Sequence, residues 1–315
     1  MLIDIRSAAQ RIQGKILRTP LFYSKYLSQL NGGEVYLKLE SEQFTGSFKA
    51  RGALNKILTL SDEDKKYGLV TASTGNHAQG FARALELTQT KGMIFLPKTA
   101  EASKVEALKA YDVTLSFYGN DPLTAELHAI GIAKAEKKTW VSPYNDFEVI
   151  AGQGTMAMEI TEDLENIDVI FGCVGGGGMM SGVATWFNEA SPNTKIIGCL
   201  PENSPEMYLS IKAGRVVTVE TPKTTLSDGS AGGLEEDAIT FDICQKLIDD
   251  YELISEKEIG EAIRYMVDKH HKIIEGAAGV ALASFLKRAH LLKNQTVVII
   301  ICGSNINTQT LKGLL

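Results

Sequence analysis

Four consecutive glycines, Gly175-Gly176-Gly177-Gly178, stand between the apolar run Val169-Ile170-Phe171-Gly172-Cys173-Val174 and the residues Met179-Met180-Ser181-Gly182, which open a helical pattern reaching Trp186. A strand-to-helix junction of this composition constrains the chain more than any other segment. Glycine adopts backbone angles closed to other residues and has no side chain to hold a ligand away, so successive N–H groups can converge on one anion. The positive end of the following helix adds to that attraction, which makes a phosphate cradle the leading reading and a flexible connector the alternative. The loop is not a nucleotide motif: it lacks the Gly-Lys-Ser/Thr ending of a P-loop and the GxGxxG spacing of a dinucleotide fold.

Short apolar or β-branched runs alternate with helical patterns around this loop. Strand patterns at 35–39, 69–71, 93–96 and 113–117 are followed by helical patterns at 47–60, 76–87, 101–110 and 122–137, and further strands are expected at 169–174, 195–199 and 296–302. The alternation predicts an α/β fold whose strands are mostly parallel, arranged as open twisted sheets flanked by helices. Ligands in such folds sit at the carboxyl ends of the strands, where the Gly-rich, Ser/Thr-rich and Asn-rich turns of this chain fall. No repeat or long linker divides the sequence, so a second domain is expected to be inserted in the first: a large unit from 1–67 and 146–315, and a small one from 68–145. A Gly/Ser/Asp-rich passage at 224–233 interrupts the pattern and is a candidate active-site loop.

Apolar residues make up 44% of the 315 positions, enough for a substantial core. The net charge of −6, with no clustered positive stripe, argues against a nucleic-acid partner. The four cysteines are widely spaced and form no CxxC pair, so they read as reduced thiols rather than zinc or redox ligands. The longest apolar run, 297–302, is too short to cross a bilayer, and charges interrupt the N-terminus where a signal peptide would need an apolar stretch. A cytoplasmic protein without a membrane partner is the expectation.

Three further segments bear on the cradle. Thr45-Gly46-Ser47-Phe48-Lys49-Ala50-Arg51-Gly52 places Lys49 in the first turn of a helix that Ser47 would cap; the helix dipole and partial burial disfavour its ammonium form there. Such an amine is a nucleophile for carbonyl carbons, and with a phosphate cradle it points to an aldehyde cofactor bearing a phosphate; a solvated surface lysine is the plain alternative. The turn Thr71-Ala72-Ser73-Thr74-Gly75-Asn76-His77-Ala78 offers hydroxyls, an amide and backbone N–H groups to a carboxylate, or else is a simple helix cap. Finally, Val298-Ile299-Ile300-Ile301-Cys302-Gly303-Ser304-Asn305 is a buried strand ending in a thiol and a polar turn.

Taken in order with Ala151-Gly152-Gln153-Gly154-Thr155, these segments closely resemble the fold-type II pyridoxal 5′-phosphate enzymes, and within them the threonine/serine dehydratase and serine racemase family. The resemblance runs from Arg18-Thr19-Pro20-Leu21 to Asn305. It implies a tryptophan synthase β-like fold, in which Lys49 forms the internal aldimine and moves protons on one face of the substrate. Phe48 would lie against the pyridine ring and Asn76 would hydrogen-bond its hydroxyl. Gly175, Gly176, Gly177, Gly178 and Met179 would hold the phosphate, and Ser73, Thr74, Asn76 and His77 the substrate carboxylate. Cys302 would face the pyridine nitrogen, where a neutral thiol makes the ring a moderate electron sink and favours early loss of a β-hydroxyl. The cofactor phosphate, close to that hydroxyl in the family, would be its acid.

The activity this implies is β-elimination of water from L-threonine, L-serine or a hydroxylated relative, giving a 2-oxo acid and ammonia. The alternatives are an amino-acid racemase with side dehydratase activity and a 3-hydroxyaspartate dehydratase. Thr74 bears on the choice, because relatives dedicated to threonine often carry alanine there and serine racemases carry serine as the acid opposite lysine. A homodimer is the expected assembly. No metal site is expected, since Leu200 stands where relatives supply the first carboxylate, leaving Glu202 and Glu206 alone. Glu275 aligns with an acid near the cofactor, or else is structural. The C-terminal regulatory domain of biosynthetic threonine dehydratases, and feedback by isoleucine with it, is not expected.

Overall fold

The computed structural model describes residues 3–219 and 223–315. Its strands are β1 (Leu21–Tyr23), β2 (Glu34–Leu39), β3 (Leu69–Ala72), β4 (Gly92–Leu96), β5 (Thr114–Phe117), β6 (Thr139–Trp140), β7 (Val169–Cys173), β8 (Lys195–Pro201), β9 (Asp250–Ile254) and β10 (Thr296–Ile301). They form a six-stranded sheet in the order β1-β2-β10-β7-β8-β9 and a four-stranded sheet in the order β5-β4-β3-β6. Every pairing is parallel except that of β1 with β2 at one edge.

Central parallel strands are covered on both faces and therefore read as unbroken apolar runs. All five residues of β7 are buried, as are five of the six in β10. The strands expected from sequence are all present. Three were not expected: β1 and β6 are too short to show a period of two, and β9, Asp-Tyr-Glu-Leu-Ile, carries two acids because it lies at an edge.

The helix Lys49–Thr59 is held between the two sheets. On one side Gly52 and Gly152 meet so closely that a methyl group on Gly152 would lie 2.7 Å from the Gly52 Cα; on the other, one on Gly80 would lie 2.9 Å from the carbonyl carbon of Lys49. Leu54 and Ile57 of this helix pack into the apolar core beneath the four-stranded sheet, with Phe81, Leu85 and Ile94.

Its position is fixed by four buried or nearly buried charges. The Arg51 guanidinium donates to both Glu40 oxygens at 2.8 Å and to the two Glu159 oxygens at 2.6 and 2.9 Å. Lys38 Nζ donates to Glu159 Oε2 at 2.6 Å and to the Thr19 carbonyl at 2.9 Å. Burial pushes the Glu40 carboxyl up, and the adjacent guanidinium outweighs it, holding the group below its ordinary value. Two cations facing two anions leave no net charge in the interior, which is the condition under which buried ions persist. Among the described residues, no helix is long and apolar enough to cross a membrane.

Candidate active site

At the carboxyl end of β7, the tetraglycine loop leads into the helix Gly178–Ala190, with Gly177 as its N-terminal cap at φ +85°, a left-handed conformation that favours glycine. The Gly176 carbonyl accepts from Thr240 Oγ1 at 2.7 Å, and the Gly177 carbonyl accepts from the Ser181 N–H at 2.8 Å. In a trans peptide the N–H points opposite the carbonyl of the preceding residue. Tying these carbonyls to the protein therefore turns the Gly177 and Gly178 N–H groups the other way. Among the described residues, none accepts a hydrogen bond from the N–H of Gly175, Gly176, Gly177, Gly178 or Met179. A run of unpartnered donors at a helix start fits a phosphate.

Tyr144 closes one side of this loop. A side chain on Gly176 would place its first carbon 2.6 Å from the Tyr144 ring, and the phenol oxygen accepts from the Glu235 N–H at 2.9 Å. Beside it, Asn145 donates to Glu235 Oε2 at 2.9 Å and accepts from the Ile239 N–H at 2.9 Å.

Lys49 is the first residue of its helix, and Phe48, not Ser47, is the cap residue; no side chain caps this helix end. Ser47 instead lies in extended pairing with Gly303, while the Phe48 N–H donates to the Cys302 carbonyl at 3.1 Å. These contacts pin Lys49 beside the end of β10. Its amine donates to the Pro143 carbonyl at 2.7 Å and lies 5.3 Å from the centre of the Phe48 ring. Burial lowers its pKa to about 8, opposed by attraction to Cys302 and Glu275. About a tenth of this amine is therefore uncharged at pH 7, far more than for an ordinary lysine.

Opposite the glycine loop, three segments distant in sequence meet. Asn76 Nδ2 donates to both Glu275 oxygens, at 2.8 and 3.0 Å, and Asn76 Oδ1 accepts from Asn305 Nδ2 at 2.7 Å. Glu275 is 3% exposed; burial pushes its carboxyl up to about 7, with the Asn76 bond pulling down and the Asp228 carboxylate pushing up. The passage at 224–233 reaches this point too, since a side chain on Gly229 would meet Glu275 Oε1 at 3.4 Å and one on Gly175 the Ser230 carbonyl at 2.7 Å. Lys104, on the helix Ala102–Lys109 flanking the smaller sheet, bonds Asp228 of that passage at 2.5 Å, spanning the two layers. Cys302 is buried where β10 ends, and burial with repulsion from Glu275 raises its thiol well above the ordinary value. It is a neutral group.

The Ser73–Asn76 turn follows β3, with Ser73 Oγ accepting from the Gly75 N–H at 3.2 Å and the helix Asn76–Thr88 beginning directly after. The His77 imidazole is 2% exposed, with Nε2 3.0 Å from Thr71 Oγ1 and 3.3 Å from the Val141 carbonyl. Burial, with repulsion from Lys49, depresses its pKa to about 3. The ring is thus a neutral core group bonded to β3, and the His77 backbone N–H lies in the first turn of the helix Asn76–Thr88.

Leu200 is buried in β8, and Glu206 accepts from Ser204 Oγ at 2.6 Å. Sequence reasoning gave no role to Tyr144 or Asn305. Their signals were faint: Tyr144-Asn145-Asp146 precedes the helix Phe147–Asp163 as an ordinary cap, and Asn305 stood only as the end of a polar turn. Pocket lining by a ring laid flat on glycine has no periodicity to betray it.

A sequence-family model described as pyridoxal-phosphate dependent enzyme matches residues 12–303. The chain is 39% identical to the L-threonine ammonia-lyase of Thermotoga maritima over 314 residues, covering 100% of this chain and 78% of that protein. Among solved structures, the processed form of threonine deaminase isoform 2 from Solanum lycopersicum superposes with a TM-score of 0.93 at 35% identity, over 99% of this chain and 86% of the other. Maize serine racemase superposes with a TM-score of 0.91 at 29% identity, over 98% and 94%.

Proposed function

Because the chain belongs to the pyridoxal-phosphate-dependent enzyme family, we propose that it is an ammonia-lyase that removes water from a β-hydroxy amino acid, L-threonine or L-serine or a hydroxylated relative, and releases a 2-oxo acid and ammonia. The observation that carries this reading is the buried Lys49 amine, bonded to the Pro143 carbonyl with its pKa lowered by burial to about 8, in a site that also holds a row of glycine N–H groups without a partner among the described residues. Pyridoxal 5′-phosphate, when bound, supplies the electron sink that makes the substrate Cα acidic.

The chain's own residues then divide the work. Lys49 carries the cofactor and moves the proton at Cα. The N–H groups of Gly175, Gly176, Gly177, Gly178 and Met179 would bind the phosphate, Phe48 would lie against the ring and Asn76 would bond its hydroxyl. Cys302, a neutral thiol, would face the ring nitrogen and would not hold a proton there as a carboxylate would. Ser73, Thr74, Asn76 and the His77 backbone hold the substrate carboxylate at the start of the helix Asn76–Thr88.

The separate sheets support a large unit of 1–67 and 146–315 with 68–145 inserted. Exposed Phe22, Tyr23, Tyr26 and Leu30, on edge strand β1 and the helix after it, support a homodimer. We assign the protein to the cytoplasm. A second reading, amino-acid racemisation beside elimination, rests on the hydroxyl of Thr74. Release of 2-oxo acid from serine, threonine and 3-hydroxyaspartate stereoisomers, with chiral analysis of unreacted substrate, tests both. No release from any of them defeats the lyase reading, and unchanged chirality defeats the second.

A further inference from the structure

We infer that Asn305 is a positioning residue: it fixes which end of the Asn76 carboxamide faces the cofactor ring and where the Glu275 carboxylate lies. The inference rests on the reading above, in which Asn76 meets the ring hydroxyl.

A carboxamide has a donating end and an accepting end, and rotating it by half a turn exchanges them. At Asn76 the donating end faces the two Glu275 oxygens and the accepting end faces Asn305 Nδ2. The reverse orientation would set an NH2 against the Asn305 NH2, and an amide oxygen against Glu275 whenever that group is ionised. Asn305 is itself fixed, because its Nδ2 also donates to the Thr45 carbonyl at 2.9 Å, and a carbonyl can only accept. Both hydrogens of that nitrogen are thereby committed.

The Asn305 backbone N–H donates to Glu275 Oε2 at 3.0 Å, so one residue holds both partners of the pair. Gly46, at φ +68°, makes room for it; a side chain there would come within 2.9 Å of Asn305 Oδ1. Orientation therefore passes from the Thr45 carbonyl through Asn305 to Asn76. Asn76 Nδ2 retains a second hydrogen beyond the one shared by the Glu275 oxygens, and that hydrogen is available to a ring oxygen. With the amide reversed, the ring hydroxyl would meet a carbonyl oxygen, and its protonation would change.

The test uses the holoenzyme. Asn305→Asp keeps the shape of the side chain and replaces the donor with an acceptor. It should lower kcat by about tenfold or more with KM changed by less than about threefold, and shift the visible absorption band that reports protonation of the cofactor's ring hydroxyl. Borohydride should still fix the cofactor on the Lys49 peptide. Should the aspartate variant not fold, Asn305→Ala carries the same expectations. Combined with Asn76→Ala, Asn305→Ala should add no further loss, because both act on one interaction. Ser304→Ala, in the same turn, should leave the band in place. An unmoved band with parental kcat, a loss confined to KM, or additive losses overturns the inference while leaving the site reading intact. Label on a lysine other than Lys49, or a band indifferent to Asn76→Ala, overturns both.

Discussion

The two ends of the site are built in opposite ways. The end we propose for the phosphate is a single contiguous piece of backbone, Gly175 to Met179, whose donors are presented by the peptide geometry of one loop. The end around Asn76 is assembled from side chains of residues 76, 275 and 305, which touch only because three segments converge. The first is robust to most side-chain changes and vulnerable to any added bulk. The second depends on each donor meeting its acceptor, so single-atom replacements suffice to disturb it.

Lys49→Ala gives the largest effect expected, because that one residue is proposed to supply both the covalent link and the proton transfer: turnover should fall by on the order of 10^4-fold while the cofactor still binds non-covalently through its phosphate. Turnover measured with cofactor in excess, alongside its binding constant, checks this; a lost phosphate site would mean that the two ends are not independent. Next in size, Gly176→Val should weaken cofactor binding by about tenfold to a hundredfold, about 1.4–2.7 kcal/mol, since its side chain would run into the Tyr144 ring and displace the loop. Unchanged affinity in a folded variant would make the loop a connector.

The pH dependence of loading separates the ends in another way. Lysine attacks only when uncharged, and the lowered pKa of Lys49 places that form above about 8 instead of above 10.5. Covalent loading of apoprotein should therefore speed up as pH rises through 8 and level off beyond it, read from the visible band. A rate still climbing in proportion to hydroxide at pH 10 would show that Lys49 is an ordinary surface amine. Smaller still is Thr74→Ala, which should abolish any racemisation yet leave L-substrate dehydration within about tenfold of the parent, at most about 1.4 kcal/mol. If dehydration stops in a variant that keeps its cofactor, the hydroxyl belongs to elimination. Chelators should change turnover least, by less than about twofold, because Leu200 offers a hard cation no ligand; loss of activity restored by magnesium would reveal a site built elsewhere.

This contrast also explains what the sequence disclosed. The glycine loop, the parallel strands and the Ser73–Asn76 turn are local, and local chemistry is visible in local composition. Lys49 was found through its neighbours Ser47 to Gly52, although the capping reason given for its position was wrong: the end of β10, not the Ser47 hydroxyl, holds that helix start. The direction of the His77 ring was not legible, because adjacency in sequence to a polar turn does not say which way a ring points, and Thr71 and Val141 claim it. Asn305 and Tyr144 take their roles from partners far along the chain, Asn76 and Gly176, and no spacing rule connects such pairs.

The buried quartet of Lys38, Glu40, Arg51 and Glu159 carries a consequence for how this protein can change over generations. Removing any one member leaves an uncompensated ion in the interior, at a cost of about 3–5 kcal/mol, comparable with the whole margin of many folded domains. A lineage cannot drift through these positions one substitution at a time. It must exchange charged partners together or keep them all, and the helix they fix is the one that begins with Lys49. Change is therefore channelled away from this side of the site and toward uncharged positions of the 224–233 passage, where one replacement can be tried without stranding a charge.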